Sequence, residues 1–243
     1  MLNGLDLFSG IGGISLALRE WVRPISYCEI DPYCQAVLLS RMEGKQLFKA
    51  PIWDDVRTLG KESGTFPRSF IDIIYAGFPC QDISIAGNGK GLGGERSSLY
   101  YELSRIINEI RPPFVFLENV PVITKRGGLE VVTDFTKMGY DSRWITFPAS
   151  SIGASHKRER WFLLAHTQSE RFQTGGQPIG AAKKQPRFES TIKHGTRDEE
   201  PANKLEVAGM ANDVPYRMDR VKSLGNGVVP AQAKEAFKIL MGL

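Results

Sequence analysis

Cysteine is scarce in this chain. Three cysteines among 243 residues, Cys28, Cys34 and Cys80, give an odd count without the paired short spacings of a zinc site. Neither a disulfide framework nor a structural metal is suggested, and reduced thiols are expected. Long apolar runs are missing as well. None approaches the ~18 residues that a membrane span requires, and no basic-then-apolar opening marks an export signal. The expectation is a cytoplasmic protein without a membrane partner. Strong charge of one sign is also lacking: a formal net charge of +4 is compatible with a polyanionic partner but identifies none. Internal repeats and low-complexity tracts are absent. What remains, at 42% hydrophobic and 24% charged residues, is the composition of a globular chain with one sizeable core and room for a small second lobe.

The chain is organised around Ala76-Gly77-Phe78-Pro79-Cys80-Gln81. The apolar, β-branched run from Phe70 to Tyr75 precedes it and reads as a buried strand that opens into a loop at Gly and Pro. Cys80 is thereby placed at a strand's C-terminal end, where open α/β sheets bind ligands. A thiolate there is a candidate nucleophile, the alternative being a small buried hydrophobe. Upstream, the strand Leu5 to Phe8 runs into Ser9-Gly10-Ile11-Gly12-Gly13 and a helical pattern from Ile14 to Trp21. Strand, glycine-rich turn and helix N-terminus bring backbone N–H groups close to a nucleotide-like ligand. The order of glycines differs from the dinucleotide pattern G-x-G-x-x-G. A second strand, Ile25 to Cys28, ends at Glu29 and Asp31. An acid here can accept from ribose hydroxyls, or Asp31 can cap the helix Tyr33 to Met42, with Pro32 at its first position.

Asp54-Asp55 follows a short stretch that reads as the end of a third strand. Ile85 to Ser97 is a long loop with five glycines, Lys90 and Arg96, of a length usually tied to function. Leu99, Leu103, Ile106, Ile107 and Ile110 then fall on one helical face that Pro112-Pro113 terminates. Phe114 to Leu117 is a further buried strand and ends in Glu118-Asn119. A helix over Leu129 to Met138, a strand over Ser142 to Phe147 and a last strand over Trp161 to Ala165 follow. Before that last strand lies Ser155-His156-Lys157-Arg158-Glu159-Arg160, which without context reads as a solvated hairpin approach. Composition shifts at His166. From there to Pro215 seven Lys/Arg balance seven Asp/Glu, and the stretch reads as a small irregular lobe or a partly unstructured one. A final helix spans Ala231 to Met241.

Five of these stretches resemble, in order and spacing, the motifs of DNA cytosine-5 methyltransferases: Asp6 to Gly13, Gly77 to Gln81, Glu118-Asn119-Val120, Arg158-Glu159-Arg160 and Gly225-Asn226-Gly227-Val228. The resemblance implies an α/β, Rossmann-like S-adenosylmethionine-dependent methyltransferase fold with a mostly parallel seven-strand sheet. It implies a catalytic and cofactor-binding domain over 1–165, a short target-recognition lobe over 166–215, and a segment over 216–243 that returns to the catalytic domain.

By the same resemblance Cys80 is the nucleophile that adds to cytosine carbon 6, and Glu118 is the acid at ring nitrogen 3. Asn119 holds the loop, Arg160 reaches the cytosine carbonyl oxygen, and Arg158 orients it or contacts phosphate. Phe8, Gly10, Gly12, Gly13, Glu29, Asp55, Pro79, Leu99, Asn226 and Gly227 are the implied cofactor contacts. Gln81, Ser84, Gly87 and Arg96 belong to the implied substrate loop. The implied donor is S-adenosylmethionine, with S-adenosylhomocysteine as product and no metal. The implied partner is double-stranded DNA with a flipped-out cytosine, and the expected state is a monomer of prokaryotic or phage origin. Two rival readings are a cofactor-binding protein without turnover, dependent on a partner chain for DNA, and an RNA cytosine-5 methyltransferase. The proline in Gly77-Phe78-Pro79-Cys80-Gln81 resembles the DNA enzymes more closely than the RNA subgroup.

Overall fold

The computed structural model describes residues 1–60, 70–79, 98–125, 127–167 and 227–243. Side chains along its central strands alternate between two cores, and this alternation fixes the architecture. Among the described residues seven strands form one sheet: β1 (Leu2–Leu7), β2 (Val22–Cys28), β3 (Ile52–Trp53), β4 (Ile73–Gly77), β5 (Phe114–Asn119), β6 (Tyr140–Pro148) and β7 (Glu159–Thr167). Their order is β3-β2-β1-β4-β5-β7-β6. All neighbours pair in parallel except β7, which runs antiparallel to both β5 and β6. The expected mostly parallel α/β sheet is the one found.

Odd and even positions separate cleanly. Ile74 and Ala76 of β4, Val115 and Leu117 of β5, and Leu163 and Ala165 of β7 pack against Leu103, Ile106 and Ile107 of α3 (Ser98–Ile110) and Val131 and Phe135 of α4 (Gly128–Lys137). Ile73, Tyr75, Phe114, Phe116, Phe162 and Leu164 point the other way. They meet Ile14, Ala17 and Leu18 of α1 (Gly13–Leu18) and Ala233, Ala236, Phe237 and Leu240 of the C-terminal helix α5 (Pro230–Met241). Strands buried on both faces carry near-continuous apolar runs, which is why β4, β5 and β7 are legible in sequence. A smaller cluster of Tyr27, Leu38, Met42 and Leu47 seats α2 (Pro32–Glu43).

Three of the boundary shifts have a visible cause. The apolar run from Phe70 enters the sheet only at Ile73, because Asp72 is occupied with β1: its carboxylate accepts from the Asn3 N–H at 2.7 Å and its own N–H donates to the Asn3 carbonyl at 2.9 Å. Helix α1 stops at Leu18 rather than continuing to Trp21. The chain turns there, the Trp21 N–H donating to Leu18 O and Trp21 O accepting from Leu2 N–H. The indole instead packs on Phe237 at 5.5 Å. Strand β2 begins at Val22 and tolerates Pro24, whose missing N–H falls next to the register shift at Gly4/Leu5. Residues 168–215, nearly all of the expected lobe, and 216–226 lie outside the described residues. Among the described residues no helix is long and apolar enough to cross a membrane.

Candidate active site

The strand order reverses between β1 and β4, and in open α/β sheets the crevice beyond the C-terminal ends at such a switch point is where ligands sit. A cavity of about 610 Å³ opens there, a size suited to a cofactor. The elements that lead out of the sheet all reach it. Phe8, Gly10 and Gly13 come from the turn after β1, Glu29 from the end of β2 and Asp55 from the end of β3. Gly77 and Pro79 follow β4, Leu99 belongs to α3, Glu118 ends β5 and Gly227 precedes α5.

The turn after β1 is held by its own backbone. Phe8 has φ 54° and Gly10 φ 53°, Ser9 Oγ donates to the Asp6 carbonyl at 2.9 Å and Gly12 N–H to the Ser9 carbonyl at 2.8 Å. Arg41, on α2, donates to the Ile11 carbonyl at 2.6 Å. Glu29 closes the arrangement: one carboxylate oxygen accepts from Gly10 N–H at 2.6 Å and the other from Asp31 N–H at 2.8 Å. An ionised carboxylate has about four acceptor sites, so a carboxylate fixed in this way retains capacity for a vicinal diol. Asp31 caps α2 through Tyr33 and Cys34 N–H, at 2.9 and 3.3 Å, which realises the capping alternative. Asp55 accepts from the Arg57 backbone and guanidinium, at 2.9 and 2.8 Å.

Two glycines matter for contrasting reasons. Gly13 permits a close approach, since a Cβ there would lie 2.7 Å from Val228 Cγ1. Gly12, at φ 80°, turns away from the cavity, and a Cβ would strike Leu47 at 2.6 Å. It shapes the turn and is not among the lining residues, so its expected direct contact with the cofactor has no counterpart in the geometry.

At the other end of the cavity the period of two along antiparallel strands assembles a charged pair. Glu118 of β5 lies opposite Phe162 of β7, so Arg160 is its diagonal neighbour on the same face. Arg160 Nε donates to Glu118 Oε1 at 2.9 Å. Gly77 leaves the space for this carboxyl, a Cβ there lying only 3.1 Å from Glu118 Oε2. Glu118 is 8% exposed. Burial pushes its carboxyl up to about 7, against the pull of Arg160 and then Arg158. The carboxyl can therefore hold or release a proton near neutrality, as a general acid must.

Asn119 points to the opposite face. Its Nδ2 donates to the Phe78 carbonyl at 3.1 Å and its Oδ1 accepts from Val120 N–H at 2.8 Å. It thus ties the end of β5 to the segment that leads from β4 toward Cys80. Arg158, at φ 24°, donates to the Gly227 carbonyl. Cys80, Gln81, Ser84, Gly87, Arg96 and Asn226 lie outside the described residues.

Sequence reasoning missed two buried polar residues behind the site. Asp6, 1% exposed, accepts from Ser15 Oγ at 2.6 Å, and Ser15 Oγ meets Tyr75 Oη at 2.7 Å. Burial, with the nearby Glu29 carboxylate, pushes Asp6 up to about 8, while the hydrogen bonds from Ser15 and Ser9 pull it down. Gln232, on α5, is fully buried beneath Arg158. Cys28 is no nucleophile: burial, then Glu29, pushes its thiol up to about 12.

The donor set suits a cation that carries a carboxylate and a diol. Acidic Glu29, Asp54 and Asp55 line the cavity together with Ser9, Gly10, Ile11 and Gly13 of the glycine turn.

Comparison with known proteins agrees with this reading. The type II methyltransferase M.CviJI of Paramecium bursaria Chlorella virus IL3A is 40% identical over 162 residues, which are 66% of this chain and 42% of that protein. The type II methyltransferase M2.BsuMI of Bacillus subtilis is 34% identical over 170 residues, 66% of this chain and 41% of that protein. The chain thus spans less than half the length of these curated relatives. A crystal structure described as a DNA modification methyltransferase encoded within an E. coli prophage superposes with a TM-score of 0.54 at 30% identity, over 70% of this chain and 47% of that one. The family model for C-5 cytosine-specific DNA methylase matches residues 2–237, across the strand order, the glycine turn and the Glu118–Arg160 pair alike, and the chain belongs to that family.

Proposed function

We propose that this protein methylates carbon 5 of cytosine in double-stranded DNA, with S-adenosylmethionine as donor. The observation that carries the reading is the buried Glu118–Arg160 pair at the mouth of the cavity, beside the strand that runs into Pro79-Cys80. When bound, S-adenosylmethionine supplies an electrophilic methyl group and leaves as S-adenosylhomocysteine. The Gly10 to Gly13 turn, Glu29 and Asp55 would hold it.

Carbon 5 of cytosine is not itself nucleophilic. The Cys80 thiolate forms a bond to carbon 6, and the electron pair of the 5,6 double bond moves toward carbon 5 and the ring. Glu118, whose buried carboxyl can hold a proton near neutrality, donates to ring nitrogen 3 and so relieves the developing charge. Arg160 binds the carbonyl oxygen and keeps Glu118 in place. Carbon 5 takes the donor's methyl group as the methyl–sulfonium bond breaks; water then removes the carbon 5 proton, the 5,6 double bond re-forms, Cys80 leaves as thiolate and Glu118 recovers its proton from ring nitrogen 3. The target base must leave the stack for this chemistry, at a cost of a few kcal/mol. Residues 166–215 supply sequence recognition, with Arg171, Lys183, Lys184, Arg187, Lys193 and Arg197 as contacts.

The test uses tritiated donor and mixed-sequence duplex DNA. The wild type labels cytosine carbon 5, and Cys80→Ala does not. Equal absence of label from both proteins on every duplex tried overturns the reading.

A further inference from the structure

We propose that Gln232 is a positioning residue, which clamps the loop end of the β6–β7 hairpin so that Arg160 stays seated on Glu118. The inference rests on the role given above to Glu118 as the acid. Gln232 occupies the first turn of α5 and is 0% exposed, an unusual place for a glutamine. Its amide Nε2 has two N–H groups, and both are used: one donates to the Phe147 carbonyl of β6, the other to the Arg158 carbonyl at 2.8 Å. These carbonyls stand where the strand ladder ends, since Phe147 pairs with Arg160 and Pro148 with Glu159. One side chain from a third element therefore holds β6 at the residue paired with Arg160 and the chain two residues ahead of Arg160, where it enters β7.

The backbone there needs holding. Arg158 sits at φ 24°, a region that L side chains rarely adopt, and it reciprocates by donating its guanidinium to the Gly227 carbonyl. The lead-in to α5 and the start of β7 are thus cross-tied in both directions. Arg160 follows two residues later, inside β7, and its Nε reaches Glu118. Gln232 does not line the cavity, so its action passes through the hairpin and not through the donor. Among the described residues the charged groups acting on Glu118 are Arg160 and Arg158, both of which lower its proton affinity. When the clamp is loosened, Arg160 draws away and Glu118 holds its proton more tightly.

The test compares full-length wild type, Gln232→Met, Arg160→Met and the double variant. A carbon-13 NMR titration of the Glu118 carboxyl needs no turnover. Gln232→Met is expected to raise its midpoint by about one pH unit, Arg160→Met at least as much, and the double variant no further than Arg160→Met alone. S-adenosylhomocysteine affinity by calorimetry should change less than about threefold, while kcat falls at least about tenfold with KM for the donor unchanged. Should Gln232→Met not fold, Gln232→Asn carries the same test: its shorter amide cannot reach both carbonyls and should move the midpoint the same way. An unmoved midpoint in a folded variant, additive displacements in the double variant, or a loss of product affinity that matches the loss of kcat each overturn the proposal. A wild type without methyl transfer defeats the functional reading alone, because the titration still reports on the clamp.

Discussion

Glu118 and Asp6 are two carboxyls raised by burial, one facing the cavity and one behind it. For Glu118 the consequence is kinetic. A carboxyl that must donate a proton is fully competent below about pH 7 and loses competence as pH rises through that value. The methyl-transfer rate should therefore fall on the alkaline side of a midpoint near 7. Glu118→Gln keeps an N–H donor but cannot deliver a proton, so it should lower kcat by about 10²–10⁴ and abolish that limb, as single-turnover rates across the pH range would show. For Asp6 the consequence is thermodynamic. Its folded value lies near 8, above the ordinary 3.8, so the stability it contributes is complete below about 3.8 and is lost as pH rises through about 8. The wild-type melting temperature should decline across that window, and Asp6→Asn should flatten the decline. Glu118, Arg158 and Arg160 were legible in sequence because a contiguous motif carries them. Asp6 opens such a motif too, but the link through Ser15 to Tyr75 spans 60 residues and that of Gln232 to Arg158 spans 74, so neither burial nor role shows locally. No local pattern announces such a meeting.

Helix α5 is the element on which both ends of the cavity depend. Its lead-in residue Val228 packs against Gly13, and its first turn holds the β6–β7 pair. Gly13→Ala would place a methyl 2.7 Å from Val228 Cγ1. Such overpacking costs about 1–3 kcal/mol and should weaken S-adenosylhomocysteine binding along with thermal stability, both readable in one thermal-shift series. Further along the helix, Phe237 lies edge-on to Phe116 at 5.2 Å and packs on Trp21. Phe237→Ala should destabilise by about 3–5 kcal/mol in a denaturant titration. The helices themselves were legible from periodicity, α3 and α5 almost to the residue. Strand limits were less so, because hydrogen bonds to neighbouring strands set them. The entry of β4 at Ile73 was decided by Asn3, and the end of α1 by the docking of Trp21 on a helix more than two hundred residues away.

In the molecule as a whole, the strand order gathers the ends of β1, β2, β3, β4 and β5 at one crevice, and on the proposed reading chemistry and donor binding belong to the sheet and target choice to 166–215. A lobe of about fifty residues places few side chains in a groove, each good bidentate pair being worth about 1–3 kcal/mol of discrimination. The recognition site should be about two to four base pairs. Bisulfite sequencing of plasmid DNA from expressing cells checks this, and exchange of the lobe for that of another enzyme should transfer the motif. The topology also has a consequence for biosynthesis. The sheet face built by Ile73, Tyr75, Phe116, Phe162 and Leu164 is covered by α1 from one end of the chain and by α5 from the other. Translation proceeds at about 5–20 residues per second, so a ribosome holding a chain complete to residue 167 presents that greasy face, half-roofed, for several seconds before residue 230 emerges. Through that interval the nascent chain is exposed to aggregation through that face, and the cavity lacks its Gly227–Val228 wall until the closing helix has left the tunnel.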